Sequence, residues 1–296
     1  MTAIQTQGLT RLYKNGRGIR RVDLTVPSGS VFGFLGPNGA GKTTLIRTLL
    51  GFLKPQAGQA RVLGIDALTR SREVRQRVGY LPSDPALYEF LSGRENIEFA
   101  LRLRGVKDRS RMKSLADRLE VDLGRRVKAL SRGNKQKVAI IAALAHNPEL
   151  LILDEPTSGL DPLVQETFLQ LIREERQNGR TVFMSSHIMS EVEAVCDLVG
   201  VIRAGEIVAL DTVDHLKKQR VKYVQAEFAG EVPRLTGLAG VSDWQVEGHR
   251  VRFTMAGSLD ALVAELARRP LVDLTVTDPP LEEVFRQFYE GAGGGR

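Results

Sequence analysis

Cysteine is all but missing from this chain: Cys196 is the only one. No internal disulfide can form, which excludes a disulfide-built secreted scaffold and fits a reducing compartment. The thiol stands among apolar residues and reads as packing. Long apolar runs are missing as well. None approaches the ~18 residues that a spanning helix needs, and residues 1–10 hold no apolar signal core. Any membrane role is therefore expected to run through a partner. Blocks of one charge sign are also absent. The net charge is +7, but Lys and Arg are scattered, with local enrichments only at 17–21, 70–77 and 102–113. Without a polybasic arm, this basic excess reads as a solvated surface rather than a nucleic-acid patch. No internal repeat is visible.

What is present is an ordinary globular composition, 42% apolar and 26% charged over 296 residues. That is enough for one large domain, or a large and a small one, with a proper core. Residues 4–9 and 22–26 alternate as half-buried strands do, and 31–35 form a short apolar strand. A glycine-rich stretch at 36–41 follows, then a helical pattern over 42–51. Helical spacing recurs at 94–104 and 109–119. Another helix is expected from Ser131, a good N-cap, to about His146. The apolar run 150–153 ends in Asp154. Residues 162–177 read as a helix with Pro162 in its first turn, 181–185 as a buried strand, and 199–203 with 206–210 as a hairpin across Ala204-Gly205. Strands alternating with helices argue for an α/β layered core. Composition shifts near 217–222. Beyond lie expected strands at 223–228, 244–246, 251–255 and 272–276 and helices at 259–267 and 281–289, a small α+β appendage. The tail 291–296 is expected to be disordered.

Two features carry chemistry. Gly36-Pro37-Asn38-Gly39-Ala40-Gly41-Lys42-Thr43 fits G-x-x-x-x-G-K-[ST], with a strand before and a helix after. Glycines let successive backbone N–H groups cup an anion, and the helix N-terminus adds positive field. Asn38, Gly39, Ala40, Gly41, Lys42, Thr43 and Thr44 are thus candidate phosphate-binding residues. Lys42 would reach the β and γ oxygens, and the Thr43 hydroxyl would ligate Mg²⁺, a cation that takes oxygen ligands. The second feature is Asp154-Glu155 at the end of an apolar strand. Two buried carboxylates need compensation, and beside a phosphate loop Mg²⁺ supplies it. Asp154 would hold the metal through water, and Glu155 would polarise an attacking water.

With those motifs in place the chain resembles ABC (ATP-binding cassette) ATPase subunits over about residues 3–218. Further motifs stand in the same order. Leu130-Ser131-Arg132-Gly133-Asn134 resembles the ABC signature, usually Leu-Ser-Gly-Gly-Gln, with Arg132 and Asn134 departing from it. Ser158-Gly159-Leu160-Asp161 resembles the D-loop. His187 resembles the switch histidine. Tyr13 stands where the family places an aromatic against adenine. Residues 78–83 match the approach to the Q-loop, but Ser83 replaces the expected glutamine and is too short to reach metal and water alike. The resemblance implies an ABC-type P-loop NTPase core at 1–218, with an antiparallel β subdomain and a helical insert at about 84–146. An accessory α+β domain at 219–290 follows.

It also implies two subunits placed head to tail, as a homodimer or heterodimer, with ATP sandwiched between one chain's phosphate loop and the other's Ser131, Gly133 and Asp161. Catalysis would rest on Glu155, His187 and Lys42, and Mg²⁺ would be held by Thr43, Asp154 and the Ser83 position. The expected partner is a transmembrane permease contacted through Phe90, Ile97 and Phe99, at the cytoplasmic face of the cell membrane. Residues 278–285 resemble the ending of ATPases that serve ABC-2-type exporters of drugs, antibiotics or lipids, so export is expected. The alternatives are an importer's ATPase or a soluble ABC ATPase acting on nucleic acid or ribosomes.

Overall fold

A computed structural model describes residues 1–218, 221–230, 232, 240–256, 259–266, 268 and 270–277. The chain divides into two compact units, Met1–Thr212 and Val213–Arg296. Along the first run β1 (Thr2–Leu12), β2 (Gly18–Pro27), β3 (Val31–Leu35), α1 (Lys42–Leu49), β4 (Ala57–Val62), β5 (Ile65–Asp66), α2 (Ser71–Arg77) and β6 (Val78–Leu81). Then come α3 (Gly93–Leu103), α4 (Ser110–Arg118), α5 (Arg132–Leu144), β7 (Leu150–Asp154), α6 (Pro162–Gln177), β8 (Thr181–Ser186), α7 (Met189–Val195), β9 (Leu198–Arg203) and β10 (Glu206–Thr212).

Two sheets share one core. The antiparallel sheet has the order β2-β1-β4-β5, and the larger sheet the order β10-β9-β3-β8-β7-β6. In the larger sheet β3 pairs parallel with both β8 and β9, β7 with β8 and β6, and only β10 runs antiparallel. Every residue of β3, β7 and β8 is buried, as expected of parallel strands covered on both faces. Phe32 and Phe34 of β3 meet Phe183 of β8 with ring centroids 5.6 and 5.5 Å apart. The same cluster takes in Ile4, Leu9 and Val22 from the antiparallel sheet and Leu45, Ile46 and Leu49 from α1. Cys196 is buried, and burial pushes its thiol well above the usual range, so packing is its role.

Strands β4, β5 and β6 and helices α2 and α7 were not legible in the sequence. β4 opens on Ala-Gly and buries only Ala60 and Val62, too few for an alternating pattern. α7 spans seven residues and has no side-chain cap.

The second unit contains α8 (Val213–Lys218), β11 (Val221–Phe228), β12 (Val241–Glu247), β13 (Arg250–Ala256), α9 (Asp260–Leu266) and β14 (Leu271–Thr277). Among its described residues the strands form an antiparallel sheet ordered β12-β13-β11-β14. Leu262 and Leu266 of α9 pack with Val224, Phe228, Val251 and Phe253, and Trp244 stacks on Phe253 at 5.0 Å. The expected helix at 281–289, the stretch 278–285 and the tail 291–296 lie outside the described residues.

Helices α3 to α5 form the insert. Ser92 and Glu95 make a capping box at the start of α3. The insert is fastened to the rest of the unit by an ionic cluster around the buried Glu175. Glu175 of α6 binds Arg111 of α4 through one oxygen and Arg180 at 2.5 Å through the other. Arg111 also donates to the Leu144 carbonyl at 3.0 Å, and Arg118 pairs with Glu174. Removing one member of a buried ion pair strands the remaining charge. Glu175→Ala is therefore expected to destabilise the protein by about 3–5 kcal/mol, measured by denaturant unfolding followed by far-UV circular dichroism.

Candidate active site

The phosphate loop lies between the end of β3 and the start of α1, at the centre of the larger sheet. Close approach sets its glycines. A Cβ on Gly36 would stand 2.5 Å from the Ile202 carbonyl, and one on Gly41 2.7 Å from that of Gly18. Gly41 also has φ +116°, a conformation that side chains resist. The loop is pinned from β9's side by the Gly205 N–H, which donates to the Ala40 carbonyl at 2.9 Å. The first-turn N–H groups of α1 have no place in the helical ladder and are aimed outward at the loop.

Lys42 is buried. Its ammonium donates to the Gly36 carbonyl at 2.6 Å and the Pro37 carbonyl at 3.3 Å, and pairs with Glu155 Oε1 at 3.0 Å. The Thr43 hydroxyl donates to Asp154 Oδ2 at 2.7 Å, and the Ser185 hydroxyl to Asp154 Oδ1 at 2.6 Å. Asp154 is 0% exposed. Glu155 follows with φ +50°, and its N–H points at both the carbonyl (3.2 Å) and the hydroxyl (3.1 Å) of Ser185. The other Glu155 oxygen lies 2.7 Å from His187 Nδ1. One glutamate thus spans the lysine of the phosphate loop and the histidine beyond β8.

Sequence reasoning missed Ser185. It pairs in register with Asp154 across β7 and β8, a match set by strand register that nothing local in the sequence displays.

A hard cation fits this chemistry. Asp154 is a fully buried carboxylate with two neutral hydroxyl donors, and with Thr43 it offers only oxygen. Among the described residues no group of three or more His, Cys, Asp or Glu could hold a metal unaided.

A cavity of about 240 Å³ opens over the loop, lined among others by Tyr13, Arg17, Asn38, Gly39, Thr43 and Thr44. Tyr13 is 39% exposed, with the Arg11 guanidinium over its ring at 5.4 Å. Ala40, Asp154 and His187 border the loop's own bonding network but not the cavity wall, and Ser83, Ser131, Gly133 and Asp161 are outside that wall too. Ser83 is half-buried beyond β6. Ser131 caps α5, accepting from the Asn134 N–H at 3.3 Å. Asp161 caps α6, accepting from Val164 at 3.0 Å. Gly133 backs onto Gly159, where a Cβ would stand 2.9 Å from the carbonyl. Gln136 of α5 donates to the Pro156 carbonyl at 2.8 Å, tying the signature helix to the turn after Glu155.

Comparison with known proteins agrees with the geometry. The ABC transporter family profile matches residues 19–158. The bacitracin transport ATP-binding protein BcrA of Bacillus licheniformis is 37% identical, over 98% of this chain and 98% of its own length. The daunorubicin resistance ATP-binding protein DrrA3 of Streptomyces coeruleorubidus is 34% identical, over 96% of this chain and 95% of its own. A dimeric post-hydrolysis ATP-binding cassette bound to ADP and Pi superposes with a TM-score of 0.66 at 24% identity, covering 71% of this chain and 98% of that one, which bears on the fold. With whole-length relatives and a phosphate loop, acidic pair and histidine gathered at one sheet end, this chain belongs to the ABC transporter family, as an ATP-binding and ATP-hydrolysing subunit.

Proposed function

We propose that the chain powers export through a separate ABC-2-type permease, hydrolysing MgATP between two subunits placed head to tail at the cytoplasmic face of the membrane. The observation that carries the paired arrangement is the incompleteness of the site within one chain. The phosphate loop, Glu155 and His187 meet at one place, while Ser131 and Gly133 stand outside the cavity wall. A second copy, or a related subunit, would bring its own Ser131, Gly133 and the amino end of α5 to the γ-phosphate, with Asp161 at the crossing. Export draws its support from the whole-length similarity to proteins of bacitracin transport and daunorubicin resistance.

In this reading Tyr13 stacks on adenine, and the amides and side chains of 38–44 take the phosphates. Thr43 and Asp154 would hold Mg²⁺, which would neutralise charge on the phosphate oxygens; Ser83 stands outside the cavity wall. Glu155 orients the attacking water and accepts its proton, and His187 fixes the Glu155 carboxylate and faces the γ-phosphate. Lys42 exchanges its carbonyl contacts for phosphate oxygens. Positioning and electrostatics supply the rate.

An aromatic cluster on the insert supports the proposed permease contact. Tyr88 meets Phe90 at 5.8 Å and Phe99 at 5.5 Å, and Phe90 and Phe99 are 69% and 43% exposed. Ile97, expected on that surface, is fully buried in the insert's core, so it is not a contact residue. Among the described residues no helix is long and apolar enough to cross a membrane.

Two measurements test this reading. Glu155→Gln is expected to bind MgATP and form a stable dimer while phosphate release falls about 10²–10⁴-fold, read by sizing with nucleotide and a phosphate assay. Full turnover would remove Glu155 as the base. Purification of the native complex from membranes is expected to yield a permease that works without a substrate-binding protein. A requirement for such a protein would replace export by import.

A further inference from the structure

Two hydroxyls and one carboxylate outside the reacting groups form a connection that the mechanism above does not use. Glu191 lies in the first turn of α7 and is 4% exposed. Its Oε1 accepts from the Thr157 hydroxyl, and its Oε2 accepts from the Ser186 hydroxyl at 2.7 Å. Ser186 Oγ in turn accepts from the Ile188 N–H at 2.9 Å. Thr157 stands two residues after Glu155, and Ser186 one residue before His187. All three tied side chains are buried, where each bond is little screened and each lost partner is costly.

The reason for such a tie is visible in the backbone. Glu155 has φ +50°, a conformation that persists only when its surroundings over-determine it. On its amino side Ser185 supplies that restraint, through two contacts to the Glu155 N–H. On its carboxyl side the turn closes from Ser158 N–H to the Glu155 carbonyl at 3.2 Å, with Pro156 and Thr157 between. Through Thr157, Glu191 anchors that turn, and through Ser186 it anchors the segment that carries His187. The 2.7 Å contact between Glu155 and His187 therefore joins two loops that share one buried post.

We infer that Glu191 is a positioning residue for hydrolysis, holding the Glu155 turn and the His187 segment in mutual register, while contributing nothing to nucleotide binding. The inference rests on the assignment of Glu155 and His187 to the chemistry. The phosphate cradle, on β3 and α1, is anchored separately by Gly205 and Asp154.

The test uses the full-length protein and measures labelled-ATP affinity and steady-state hydrolysis together. Glu191→Ala is expected to leave the ATP dissociation constant within about twofold and to lower kcat about 10–100-fold, the scale of an ångström-level misplacement. Glu191→Gln, which keeps the shape and one acceptor oxygen, is expected to recover part of the loss. Thr157→Val, near-isosteric and missing one arm, is expected to fall between Ala and wild type, and it stands in if Glu191→Ala does not fold. Added to Glu155→Gln, Glu191→Ala is expected to cause no further loss, because the two act as a unit. Wild-type kcat in both Glu191→Ala and Thr157→Val, or losses that multiply in the double variant, would overturn the inference. A fully active Glu155→Gln would instead overturn the assignment on which it rests.

Discussion

Two adjacent carboxylates at the end of a buried strand are the constraint around which this site is arranged. β7 is apolar on both faces and Asp154 at its end is fully buried, while Glu155 beside it is part-exposed and lines the cavity. A buried carboxylate is costly without partners. The sheet order supplies them. β8 lies beside β7 and delivers Ser185, Ser186 and His187; β3 lies on β8's other side and delivers Lys42 and Thr43. Had the strand order been different, the same motifs would have been present in the sequence without meeting.

The two carboxylates have different surroundings, and the division of tasks proposed for them rests on that difference. Asp154 is sealed and bonded by hydroxyls alone, the setting of a ligand for a hard cation. Glu155 is turned out of the strand by its left-handed backbone, so its carboxylate reaches both Lys42 and His187. The cost of that backbone, about 1–3 kcal/mol, is offset by the bonds of Ser185 on one side and of Thr157 with Glu191 on the other. Helix α5 connects to the same turn through Gln136. A change at the signature helix therefore has a short physical route to Glu155.

Much of this could be read in the sequence, because the phosphate loop and the acidic pair are local. Their spacing, and the apolar strands before them, required no knowledge of the fold. The matching of Ser185 to Asp154 and of Glu191 to Thr157 could not be read. These are contacts across 31 and 34 residues, the first fixed by strand register and the second by the placing of helix α7 against the turn after β7. The antiparallel sheet was half legible for a similar reason: β1 and β2 alternate clearly, whereas β4 presents two buried side chains and takes its conformation from pairing with β1. Ile97 misled because α3, which exposes Phe99 and Leu103, also has an inner stripe that includes Ile97 and Leu101, and one apolar residue does not declare its side.

The central claim is that Asp154 serves the metal-bound nucleotide and Glu155 its cleavage. The most direct measurement is ATP affinity as a function of Mg²⁺ concentration, in wild type and in Asp154→Asn. The account predicts that Mg²⁺ tightens binding in wild type and that this gain is largely lost in Asp154→Asn. An undiminished magnesium-dependent gain in Asp154→Asn would contradict it.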